Sequence, residues 1–124
     1  MHEFKYAKLW QSLGYLLLIM IVVLSLIPAP QIAFQLPSDK LNHFVAYGVL
    51  MGWFAQLYPR AYYWKLAGLF VLLGVILEFL QGMTGYRFFE YYDMLANALG
   101  VLLGWLLCLT PLSSLLLKVE RRFL

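Results

Sequence analysis

The chain has 124 residues, 64% of them hydrophobic and 12% charged, against about 45–50% and about 25% in soluble domains. A domain this small has too little interior to hide so much apolar surface from water, so an ordinary soluble fold is excluded and lipid is the expected solvent. Net charge is +3, with the basic residues dispersed, which gives no footprint for nucleic acid.

Four apolar stretches follow in order. Leu9 to Ile27 is closed by Pro28 and Pro30, Leu41 to Tyr58 by Pro59, and Met94 to Thr110 by Pro111. Between the last two, Tyr62 to Gly82 is interrupted only by Lys65 and Glu78. Each fits the roughly 17–25 residues that a helix needs to cross a bilayer core. None alternates with period two, so strands are not expected. The first stretch is long for the h-region of a signal peptide, no A-x-A site follows, and it is read as a retained helix.

Basic residues set the orientation. With the N-terminus inside, Lys5, Lys8, Arg60, Lys65, Lys118, Arg121 and Arg122 are cytoplasmic, and only Lys40 and Arg87 lie outside. Aromatic belts accompany both faces: Tyr58, Tyr62, Tyr63 and Trp64 inside, Phe88, Phe89, Tyr91 and Tyr92 outside. The tail from Leu112 to Leu124 mixes leucines with charges and is expected along the inner membrane surface. The fold class is therefore all-α: an integral membrane four-helix bundle with both ends inside and a short amphipathic C-terminal segment. Residues 1–124 form a single transmembrane domain, with helices at about 9–27, 41–58, 62–82 and 93–110. Cys108, the single cysteine, sits in an apolar run and is expected to act as a small hydrophobe.

The informative polar residues collect at the outer end. Asp39, His43 and Tyr47 follow at intervals of four along one side of helix two, with Lys40 beside them. Gly74, Glu78 and Gln81 share a face of helix three; Asp93, Asn97, Gly100 and Gly104 share one on helix four. Each polar stripe continues into small residues or a tyrosine, and Gly48-xxx-Gly52 and Gly100-xxx-Gly104 have the spacing by which membrane helices approach closely. The stripes are expected to face one another. A carboxylate at the centre of a membrane helix costs on the order of 2.5–3.5 kcal/mol, and Glu78, nearer the boundary, needs a partner among Arg87, Lys40 and His43 to offset its share. Competing readings are simpler: Asp39 and Asp93 as helix N-caps, His43 as an interfacial histidine, Glu78 with Arg87 as a structural ion pair, and Asn97 as an interhelical hydrogen-bonding group.

These residues carry a resemblance. Asp39-Lys40-Leu-Asn-His43-Phe-Val-Ala-Tyr47, Gly74-Val-Ile-Leu-Glu78-Phe-Leu-Gln81, Arg87, and Asp93-Met-Leu-Ala-Asn97-Ala-Leu-Gly100 resemble, in this order, the VanZ-like family of small bacterial membrane proteins. The likeness spans about Ser38 to Trp105; helix one and the tail carry no motif. It implies a multi-pass protein of the bacterial cytoplasmic (inner) membrane and, in some members, lowered susceptibility to glycopeptide antibiotics. It implies no settled reaction.

Two functions stay open. In one, the outer pocket binds or acts on an envelope lipid or lipid-linked precursor. Glu78, His43 and Asp93 then move protons, while Asp39, Lys40, Tyr47, Gln81, Arg87 and Asn97 hold the ligand. In the other, the cluster only clamps the bundle or docks a partner, and whether the chain is an enzyme is left undecided. Asp39-xxx-His43 has metal-ligand spacing, but no metal and no cofactor are expected. Conduction would need polar groups at several depths, and the inner halves offer only Gln11, Ser12 and Gln56. The partners expected are membrane lipids, with self-association left open.

Overall fold

A computed structural model describes residues 4–27, 39–85 and 89–124 of the chain. The helices are α1 (Ala7–Leu26), α2 (Asp39–Ala55), α3 (Tyr63–Met83), α4 (Tyr91–Leu107) and α5 (Leu115–Phe123). No strand occurs among the described residues, as the absence of period-two alternation requires. The long helices lie within three residues of the expected boundaries. Proline sets several of these limits, because it lacks the N–H that helix propagation needs. Pro59 precedes the tight turn Arg60–Tyr62 that leads into α3. Pro111 opens a second such turn, capped where Thr110 Oγ1 accepts the Leu112 N–H at 3.2 Å.

Among the described residues, two segments are long and apolar enough to cross a membrane. Ala7–Leu26 has a mean hydropathy of 2.1, and Arg60–Met83 has 2.0. A third is counted if Tyr91–Leu107 and Pro111–Phe123, bent by 83° from one another, form one span. α2, with 17 residues, is about 26 Å long.

Contacts fix the relative directions. Along α2 and α4, His43 meets Asn97, Gly48 meets Gly100, and Gly52 meets Cys108. Numbers rise together, so the two helices run parallel. α3 runs against them: Glu78 lies beside Asp93 and Gly74 beside Asn97, while Arg60 donates to the Leu109 carbonyl at the far end. α1 packs through Trp10 on Trp53 and Tyr15 on Phe54.

The α2–α4 contact is the tightest, and it is made of glycine. A methyl group at Gly104 would stand 2.6 Å from the Gly48 carbonyl oxygen and 2.9 Å from Met51 Cβ. One at Gly100 would run into the Phe44 carbonyl. Gly52, by contrast, has open space where its Cβ would be. The small-residue stripes thus serve contact within the chain. Around this seam Tyr47, Leu50, Met51, Phe54, Phe70, Leu77 and Val101 form the core. Leu69, Leu72 and Ile76 of α3, with Leu99, Leu102 and Leu106 of α4, point outward and are exposed, a surface suited to lipid.

At the end away from His43, the tail folds back onto the protein. Glu120 is buried; its Oε1 accepts the Lys5 N–H at 2.7 Å, and its Oε2 accepts the Tyr6 N–H at 3.0 Å and the Trp10 indole N–H at 2.8 Å. Beside it, Gln56 Oε1 accepts the Leu116 N–H at 2.8 Å. The tail, expected to lie along the membrane surface, is fastened to the start of α1 and the end of α2. The carboxylate thus accepts two backbone amides that the start of α1 would otherwise leave unpaired. Burial alone would raise the Glu120 pKa, but the Lys5 amide, the Trp10 indole and the Tyr6 amide outweigh it and hold the carboxyl below the ordinary glutamate range.

Gly100→Ala and Gly104→Ala should each lower stability by about 1–3 kcal/mol through overpacking, while Gly52→Ala stays near wild type. Thermal unfolding in detergent reads the difference, and equal melting of all three would contradict the seam. A depressed carboxyl stabilises above its unfolded value, and that contribution is lost as pH falls through the folded value. Protection of the Lys5 and Tyr6 amides from hydrogen exchange should therefore fall away below about pH 4. Glu120→Gln should remove that dependence, and protection that is flat with pH would contradict the clamp.

Candidate functional site

Three helices deliver the polar stripes to one place. His43 lies in the second turn of α2, Glu78 near the end of α3, and Asp93 in the first turn of α4. One ligand-type atom from each of the three lies within 4.8 Å of the other two. Glu78 is 1% exposed and Asp93 3%, and His43 is half-buried. Glu78 therefore turns into the protein rather than toward acyl chains, as its desolvation cost demands.

The neighbours are specific. His43 Nδ1 lies 3.0 Å from Asn97 Oδ1, and Gly74 leaves the room that the Asn97 side chain fills: a Cβ there would stand 2.9 Å from Asn97 Nδ2. Because an amide oxygen only accepts, the proton belongs on Nδ1, and Nε2 faces Asp93 Oδ2 at 3.6 Å. Lys40 Nζ stands 2.9 Å from Asp93 Oδ1, close enough for an ion pair but misaligned for a hydrogen bond, and it also pairs with Glu90. The Glu90 and Asp93 carboxylates hold the Lys40 ammonium above the ordinary lysine range, so it stays charged. Glu78 Oε1 accepts the Glu90 backbone N–H at 2.8 Å.

Several expectations resolve differently in detail. Asp93 is not the N-cap of α4; Glu90 holds that position without a side-chain cap, and Asp93 sits in the first turn. Lys40, one of the partners expected for Glu78, bonds Glu90 and Asp93 instead. Gln81 is buried but donates to the Ser25 carbonyl at 2.8 Å, so its amide ties α3 to α1 rather than entering the cluster. Tyr47 is buried one turn below His43. The Asp39 side chain and all of Arg87 lie outside the described residues; the backbone places Asp39 at the start of α2. Glu90 is the participant that sequence reasoning did not place in the site. Its signal was its position three residues before Asp93, one helical turn away.

Chemically, this is a buried acid–base group. Two carboxyls and an imidazole that close together can share or pass a proton. The N-termini of the parallel helices α2 and α4 both point at it, and their positive ends favour negative charge there. Elsewhere along the same two helices, an apolar groove of about 360 Å³ runs between α2 and α4, from Phe44 and Val45 past Val49 to Cys108 and Leu116. Cys108 is buried against α2, its Sγ 3.5 Å from the Gly52 carbonyl oxygen, in keeping with a packing role.

No curated protein and no solved structure matches the chain. One family does: the VanZ/LLP1 family model matches residues 25–116, well over half of the chain and all of the cluster just described. With the His43–Glu78–Asp93 constellation inside the matched span and long apolar helices around it, the chain belongs to the VanZ-like family of membrane proteins.

Proposed function

We propose that this protein crosses the bacterial cytoplasmic membrane four times, with both ends inside. Its outer-end cluster binds the anionic headgroup of an envelope lipid or lipid-linked precursor and exchanges a proton with it. The observation that carries the reading is the convergence of His43, Glu78 and Asp93 from three helices into one buried group. Around it, Lys40 and two helix N-termini supply the positive field that an anionic headgroup needs. The groove that begins at Phe44, the residue after His43, offers the attached acyl chain an apolar bed along the same helix.

The topology draws support from the distribution of partners. Lys5, Arg60 and the basic tail meet at one end of the molecule, and the cluster lies at the other. Both ends of the chain on the basic side is what the positive-inside rule favours. The crossings by α2 and α4 rest on helices of 17 residues each, at the short end of what spans a bilayer.

The structural reading also has an observation in its favour. Lys40 is already engaged by Glu90 and Asp93, His43 by Asn97, and Glu78 by the Glu90 amide, so the group ties three helices together without a ligand. Abundance separates the two. In the headgroup reading, Glu78→Gln and His43→Ala keep wild-type protein levels but lose the anionic lipid that co-purifies in mild detergent, as read by mass spectrometry. A fall in protein level with lipid retained per chain would favour the clamp.

The antibiotic link follows from the family and is tested in cells. Expression of the wild type should lower susceptibility to teicoplanin, and expression of Glu78→Gln should not. Equal susceptibility in both strains would remove that link.

A further inference from the structure

The three central side chains share a pattern that proton exchange does not require. Each has an outer partner, and a ligand-type atom of each lies within 4.8 Å of the other two. Asn97 Oδ1 takes the Nδ1 side of His43; Lys40 takes Oδ1 of Asp93; the Glu90 amide takes Oε1 of Glu78. Outer partners that fix the tautomer of a histidine and the rotation of a carboxylate are the usual support of a metal site. The remaining separation agrees. His43 Nε2 and Asp93 Oδ2 are 3.6 Å apart, too far for a hydrogen bond. Two ligands about 2.0–2.2 Å from one ion stand roughly 3.3–3.6 Å apart at a tetrahedral angle.

Charge and hydrogen bonding point the same way. Asp93 is nine-tenths buried and more, yet its Oδ1 makes an ion pair with Lys40 without a hydrogen bond. Among the described residues, Glu78, Glu90 and Asp93 face a single fixed cation, Lys40, with His43 the only other group able to carry positive charge. Two buried carboxylates this close repel unless a shared proton or a cation lies between them, and a cation bound there relieves the repulsion with both carboxyls ionised.

We infer that His43, Glu78 and Asp93 bind a divalent transition-metal ion, Zn²⁺ foremost. One imidazole nitrogen and two carboxylate oxygens are hard-to-borderline donors, suited to zinc or manganese rather than to calcium or copper(I). Three protein ligands leave a position open to the outer end, where a headgroup phosphate or a water would complete the shell. The inference uses the residues of the proposed headgroup site but not its ligand. Metal content is measured without lipid or phenotype, so either reading can fail while the other stands.

The test uses the full chain in detergent, stripped with chelator, incubated with ZnCl₂ or MnCl₂ separately, desalted, and assayed for bound metal by mass spectrometry. Wild type should retain one zinc per chain, with a raised melting temperature. His43→Ala, Glu78→Gln and Asp93→Asn should each lose it, and Asn97→Ala, which removes only the orienting amide, should weaken binding about 10–100-fold. Failure of wild type to retain either ion, or retention of zinc by all three ligand variants, overturns the site. Should those variants fail to fold, Co²⁺-loaded wild type decides: a histidine nitrogen among mixed oxygen ligands is the expected spectrum, and an all-oxygen shell overturns the assignment.

Discussion

The His43 end of this protein depends on how closely two backbones can approach. Gly100 and Gly104 let α4 lie against the α2 backbone between Phe44 and Gly52. That contact sets the register: with Gly48 opposite Gly100, His43 falls opposite Asn97, and Lys40 opposite Asp93. In lipid there is no water to drive helices together through apolar burial, so close packing of small residues and buried polar pairs must hold them. The glycine seam and the polar cluster are therefore two halves of one arrangement.

The cost of putting charge into an apolar surrounding shapes the rest. Glu78 and Asp93 are nearly inaccessible, and each has found partners on other helices. The same logic governs the opposite end, where Glu120 gathers two amides and an indole N–H. Between the two ends the chain is apolar both inside and out, with Tyr47, Leu50 and Met51 buried and the leucines of α3 and α4 facing outward. Polar chemistry is confined to the ends, which favours a site that serves one membrane face over a path through the membrane.

The two ends differ in kind. The Glu120 clamp saturates its acceptor with backbone and indole donors, as an anchoring contact does. The His43 cluster instead combines acids with a histidine whose ring is oriented by an amide.

The sequence by itself determined the helices and the participants. Apolar runs of bilayer length bounded by proline can be little else, and a helical period lines up Asp39 with His43, and Asp93 with Asn97, whatever they pack against. Only the tertiary structure decided the pairings. Lys40 turned to Glu90 and Asp93 rather than to Glu78, and Gln81 reached Ser25 on α1, because partner choice depends on the rotation and register of neighbouring helices, which periodicity does not contain. Glu90 stayed out of sight because it precedes α4 and belongs to no stripe. The Glu120 contacts of the tail were out of reach for a related reason: a short amphipathic helix suits a lipid surface and a protein surface equally, and the Lys5, Tyr6 and Trp10 donors that bind Glu120 lie more than a hundred residues away along the chain.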